Sequence, residues 1–190
     1  MSATQPLSKL DGSKLLSVED KRDRLFLGIG LYTGRRVQEI TNMTWRFLLD
    51  HSINTIYVPK QKGYHFFPRS SRLIDLIDEC YEGQPVDNYF MTGRRGTDGI
   101  KPMSTTGVNK MLKKYFPLMG IETIKEASHC LRKTFAVNFL EANRDKEKEI
   151  YLLGFLQDYF GHKNMKTTLR YIGLEDKNLG ALCENINYEI

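Results

Sequence analysis

Ile53–Val58 (INTIYV) concentrates β-branched and aromatic residues in one short run, while the segments on both sides carry apolar residues at helical spacing. A chain patterned this way folds as helices around one small hairpin. Pro59 ends the first strand, Gly63 supports the turn, and Tyr64–Phe67 reads as the returning strand. The expected class is mainly α with a small antiparallel β-hairpin, an α+β arrangement.

The helices announce themselves by caps and stripes. Ser17, with Asp20 three residues on, reads as a capping box for a helix running to about Tyr32. Gly34 supplies a left-handed stop. Val37, Ile40, Met43, Phe47 and Leu48 then recur at helical spacing. Ser70 or Ser71 caps a short helix with Leu73, Ile74 and Ile77. Thr105 or Thr106 caps another, with Val108, Met111, Leu112 and Tyr115. Ser128 opens a helix whose apolar residues are Leu131, Phe135 and Phe139. Residues 83–102 are loop-like with an extended piece at Asn88–Met91. Ile150–Tyr159 is helical up to Gly161, and short helices follow around 167–172 and 179–186.

Composition fixes the broad class. With 190 residues the chain suits one domain. Residues 1–16 read as a flexible N-terminal tail or linker end, and 17–190 as the domain proper with its C-terminal tail helix. The longest apolar stretch, Leu25–Tyr32, is far short of the ~20 residues of a membrane helix. The N-terminus lacks the apolar core of a signal peptide. Cys80, Cys130 and Cys183 are odd in number and scattered, which suits a reducing compartment and excludes a disulfide framework or zinc knuckle.

The net charge of +5 matters less than its distribution. Arg94, Arg95, Lys101, Lys110, Lys113 and Lys114 face one acid, Asp98, in their segment. Lys60, Lys62, Arg69 and Arg72 face none. The tail from Glu175 is acidic. Clustered Lys and Arg suit a polyanion such as DNA or RNA; a solvated surface is the other reading of the same charges.

Four pieces carry chemistry. They are Thr33-Gly-Arg-Arg-Val-Gln-Glu39, His129-Cys-Leu-Arg-Lys-Thr-Phe-Ala136, Gly161-His162, and Tyr171 nine residues after His162. Lys60 and Lys62 sit on the hairpin between the first two. In this order and spacing the pieces resemble the tyrosine recombinase (phage integrase) family, whose boxes read T-G-x-R-x-x-E, H-x-L-R-x-T-F-A, and G-H followed by a nucleophilic Tyr. The resemblance runs from Ser17 to Ile190.

The residue types fit that chemistry on physical grounds. Breaking a phosphodiester puts negative charge on the non-bridging oxygens of five-coordinate phosphorus. Two guanidiniums can hold those oxygens with bidentate, charge-assisted bonds. His129 and Arg132 are three apart on one helix, so they share a face. A phenol of pKa ~10 is only about a thousandth ionised at pH 7, and nearby Arg and His lower that barrier. A lysine can protonate the leaving oxygen.

The resemblance implies a tyrosine recombinase catalytic-domain fold and a site-specific recombinase of mobile elements. Its catalytic residues would be Arg36, Lys62, His129, Arg132, His162 and Tyr171. Position at the hairpin tip favours Lys62; counting back from Pro68 favours Lys60. Glu39 would brace the site. Tyr171 would form a 3′-phosphotyrosyl bond and release a 5′-hydroxyl, with no metal, ATP or other cofactor. Implied partners are double-stranded DNA, further copies in a tetrameric synapse (the free protein being monomeric), and accessory DNA-bending proteins. The implied location is the cytoplasm, at the nucleoid. A type IB topoisomerase-like relaxing enzyme or an inactive DNA-binding relative are the alternatives.

Two departures stand out. Arg132 and His162 lie further apart than the family pattern, and the excess coincides with the charged run Arg144–Glu149. The separate N-terminal clamp domain of most members is absent from the 190 residues. The chain therefore reads either as a catalytic domain of a longer protein or as a short member, such as the recombinases that invert fimbrial promoters.

Overall fold

The computed structural model describes residues 5–93, 101–122 and 127–173. In chain order its elements are α1 (Lys9–Leu15), α2 (Lys21–Thr33), α3 (Val37–Thr41), α4 (Trp45–Leu49), β1 (Thr55–Val58), β2 (Gly63–Phe66), α5 (Ser71–Cys80), α6 (Thr105–Leu118), α7 (Ala127–Asn143), α8 (Glu149–Phe160) and α9 (Met165–Ile172). The class is mainly α with one small antiparallel hairpin, as expected. The chain divides within α7 into two compact units, Met1–Phe135 and Ala136–Ile190.

In the first unit α2 is the central helix. Its sequence is apolar nearly all round, and Leu25, Phe26, Leu27 and Ile29 are fully buried. Two of its glycines admit neighbours at close range. A Cβ at Gly28 would collide with Leu76 of α5, and one at Gly30 would come within 2.9 Å of Leu131 in α7. The hairpin pairs Thr55 with Phe66 and Val58 with Gly63. Arg69 secures its root. The guanidinium donates to the carbonyls of Ile53 (2.7 Å), Leu48 (2.9 Å) and Phe47 (2.5 Å). It also stacks on the rings of Phe47 and Phe67. Although it belongs to the basic run from Lys60 to Arg72, this charge is used by the fold itself.

Several boundaries differ from the sequence expectations. Residues 9–15, expected in a flexible tail, form α1. Ser8 caps it, and Leu7 and Leu15 enter the core. The Leu7 amide donates to the Thr134 hydroxyl of α7 at 2.8 Å. That anchor joins residues 127 positions apart, so no local pattern reveals it. Asp20, not Ser17, caps α2 by accepting from the Asp23 amide at 2.9 Å. Ser17 instead donates to the Lys14 carbonyl. The helix expected over Val37–Leu48 is two short helices, because Thr44 caps α4 and bridges to Tyr89. Ser104, rather than Thr105 or Thr106, caps α6.

In the second unit Leu152, Leu153, Leu156 and Phe160 of α8 are buried. Phe155 stacks between Phe139 and Tyr159, with centroids 5.1 and 5.7 Å away. Gly161 (φ 65°) ends α8, and Asn164 caps α9. Residues 144–149 are exposed throughout. The helix expected around 179–186 lies outside the described residues.

Candidate active site

The site in the first unit starts from a helix end. α2 stops at Gly34, which adopts a left-handed conformation with φ 61°. The buried Thr33 hydroxyl donates to the Ile29 carbonyl (2.7 Å) and accepts from the Arg35 amide (3.3 Å). A Cβ at Gly34 would lie 2.5 Å from Phe135 Cδ1, so only glycine lets α7 approach. The approach brings Arg132 Nη1 to the Gly34 carbonyl, 2.7 Å away. Arg132 is only 4% exposed, and this bond orients its guanidinium from behind.

Arg36 follows at the N-cap of α3, where its own side chain has no acceptor to offer. Glu39 supplies the cap by reaching back. Its Oε2 accepts the Arg36 amide at 3.2 Å and its Oε1 accepts Arg36 Nη1 at 2.9 Å. Arg36 keeps 26% of its side chain exposed, whereas Glu39 keeps 4%. The box register selects Arg36, and it is also the more exposed of the two neighbouring arginines, the Arg35 side chain being fully buried.

Arg35, Arg36, His129 and Arg132 line one cavity of about 190 Å³, with Val37, Gln38, Thr105 and Ser128. His129 is exposed, and its spacing from Arg132 on α7 puts both on the cavity side. Three arginines and an imidazole around a small cavity are groups that can take an anion, with a proton acceptor beside it. Lys60 lines a neighbouring cavity of about 510 Å³ together with Gln38 and Glu39. Lys62 is exposed at the hairpin tip with φ 51°. The sequence favours Lys62 over Lys60; in the structure Lys60 borders this cavity and Lys62 stands at the hairpin tip.

The other two expected residues belong to the second unit. His162 follows the Gly161 stop, and its amide donates to the Gln157 carbonyl at 2.9 Å. Its Nδ1 lies 3.0 Å from the Thr168 hydroxyl, one helical turn before Tyr171. The His162 and Tyr171 rings meet edge to face, centroids 5.4 Å apart. Phe160 contacts both rings, at 5.5 Å from each. The phenol is therefore held by two aromatic neighbours and is half-buried.

Thr105 and Ser128, read from the sequence only as helix caps, line the cavity, and Thr168, not named in the sequence reading, lies against His162. Ser128 stands next to His129, and Thr168 stands one turn from Tyr171, so only adjacency signalled them. Burial acts on two further members of the second box. It lowers the pKa of Lys133 below the ordinary lysine range and pushes the Cys130 thiol up to about 12. Cys130 is a protonated core residue, inert as a nucleophile.

Residues 7–178 match the family model described as the phage integrase family. The chain belongs to the phage integrase family of tyrosine recombinases. It is 26% identical over 85% of its length to a tyrosine recombinase of Pseudothermotoga lettingae, covering 52% of that protein. It is 25% identical to "Probable integrase/recombinase YoeC" of Bacillus subtilis, covering 95% of this chain and 96% of that one. Its structure is similar to that of XerA recombinase, with a TM-score of 0.69 at 21% identity over 99% of this chain and 68% of the other. The chain spans about half the length of the first of these relatives. Among the described residues no helix is long and apolar enough to cross a membrane.

Proposed function

We propose that this member of the family is a site-specific recombinase that cuts and rejoins duplex DNA through a covalent phosphotyrosine. The observation that carries the reading is the convergence of Arg36, His129 and Arg132 on one cavity. Arg36 and Arg132 hold the non-bridging oxygens of the scissile phosphate and stabilise the charge of the five-coordinate state. Tyr171 attacks phosphorus, and His129 takes its proton. His162 hydrogen-bonds the phosphate, oriented by Thr168. The P–O5′ bond breaks as the hairpin lysine protonates the leaving oxygen.

Of the two lysines we assign this role to Lys60, which lines the cavity it shares with Glu39. Lys62 at the tip is the alternative. A 5′-hydroxyl from a partner strand then attacks the phosphotyrosine and reseals the DNA. The bond energy is conserved in the ester, so the cycle consumes no ATP and requires no metal. The same reading has a synapse of four copies on DNA, monomers when free, accessory DNA-bending proteins as further partners, and work at the nucleoid.

The test is a nicked suicide duplex incubated with the protein in chelator and without nucleotide. A covalent protein–DNA adduct is expected, and Tyr171→Phe abolishes it. An adduct that persists in that variant overturns the assignment of the nucleophile. Relaxation of supercoils without site preference would instead favour the topoisomerase-like reading.

A further inference from the structure

Arg35 stands beside Arg36 in the chain and borders the same cavity, but its guanidinium reaches toward the hairpin. Its side chain is fully buried, and Nη1 lies 3.7 Å from Glu39 Oε2. Its Nη2 donates to the Phe66 carbonyl. Phe66 is the last residue of β2, paired with Thr55 at the root of the hairpin. Glu39 in turn accepts from the amide and the guanidinium of Arg36. A chain of contacts therefore runs from the hairpin through Arg35 and Glu39 to Arg36, its Arg35–Glu39 link being an ion pair at 3.7 Å and not a hydrogen bond.

The hairpin needs such a tie. It has two strands of four residues, and a two-stranded ribbon is marginal on its own. Its outer face, with Tyr57, Tyr64 and Phe66, is exposed, so packing on that side does not fix its angle. Arg69 holds the chain before β1 and the end of α4, not the α3 site. The Phe66 carbonyl is where the hairpin meets the residues that hold Arg36. A planar guanidinium reaches a carbonyl and a carboxylate at fixed angles, which an ammonium does not do. Its burial beside Glu39 makes the alternative geometries costly.

We propose that Arg35 is a positioning residue that holds the hairpin lysine in register with the phosphate bound at Arg36. The inference rests on the recombinase reading. In the cleavage step a Tyr171 Oη–P bond forms and the P–O5′ bond breaks. The lysine ammonium gives its proton to O5′. Arg35 touches none of these atoms. It acts by keeping the donor where the leaving oxygen departs.

Leaving-group chemistry tests this. A nicked duplex with a 5′-bridging sulfur at the scissile position releases a thiolate, which needs no proton donor. Rates of adduct formation are measured on the oxygen and sulfur substrates for the intact chain, Arg35→Met, Arg35→Lys and Lys60→Ala. We expect Arg35→Met to slow cleavage of the oxygen substrate by roughly 100-fold, the lower range for loss of a general acid. On the sulfur substrate it should return to within about threefold of the unsubstituted protein, as Lys60→Ala does. Arg35→Lys keeps the buried charge, secures folding, and should show the same sulfur rescue with a smaller oxygen defect. Equal slowing on both substrates by the folded Arg35 variants overturns the positioning role. If Lys60→Ala is rescued and neither Arg35 variant is, it is overturned as well. An unsubstituted protein that forms no adduct with either substrate instead removes the recombinase reading, and the positioning role with it.

Discussion

Arg132 Nη1 donates to the carbonyl of Gly34 at 2.7 Å, joining the second sequence box to the first across 98 residues. The bond uses a backbone group that is displayed only because Gly34 turns left-handed at the end of α2. Arg132 also lines the cavity that Arg36 and His129 share. The glycine and the arginine are thus parts of one device, and each can be tested.

Arg132→Lys removes the planar fork and keeps the charge. An ammonium cannot donate to Gly34 and still grip a phosphate with two parallel bonds. Adduct formation on a suicide duplex should fall by about 100-fold or more, as for loss of one oxyanion donor. Unfolding in urea should lose only about 1 kcal/mol, the worth of one hydrogen bond. A rate within threefold of the unsubstituted protein would contradict the proposed role.

Gly34→Ala meets two obstacles at once. The residue has φ 61°, and its new Cβ would sit 2.5 Å from Phe135 Cδ1. Strain and overpacking together should cost about 2–4 kcal/mol. The check is the urea midpoint at constant slope. An unchanged midpoint would mean that α7 can retreat from α2 without loss.

Tyr115 and Asp23 form a buried pair, with the phenol donating to Asp23 Oδ2 at 3.0 Å. Burial first, and then the Asp23 charge, push Tyr115 up to about 12 from 10.0. Burial, reinforced by Asp20, also raises Asp23. The sign follows from linkage. Where the folded state binds the proton more tightly, stability is full below the unfolded pKa and falls as pH rises through the folded one. Tyr115's contribution should therefore decline between pH 10.0 and about 12. Tyr115→Phe should flatten that decline in urea midpoints measured across the range. A slope unaffected by the substitution would place the titration elsewhere.

Local signals read well wherever a residue serves its own neighbours. The Gly34 and Gly161 stops, the Ser70 cap of α5 and the hairpin from Thr55 to Phe66 were all legible. Long-range partners decided the rest. α1 looked like a tail because Leu7 and Leu15 gain their value only against the core, and Leu7 only against Thr134. Arg69 looked like a surface cation because its carbonyl partners lie 16 to 22 positions earlier in the chain.

The sequence by itself pointed to the family and the order of the boxes. Those properties depend on residue identity and spacing along single helices. Only the tertiary structure decided what the neighbours do. Arg35 is buried against Glu39 and Phe66, Lys60 lines a cavity while Lys62 stands at the tip, and Thr168 holds His162. Identical side chains one or two positions apart carry the same local signal. What separates them is burial and the direction in which the backbone turns, and both are set by residues far away in the chain.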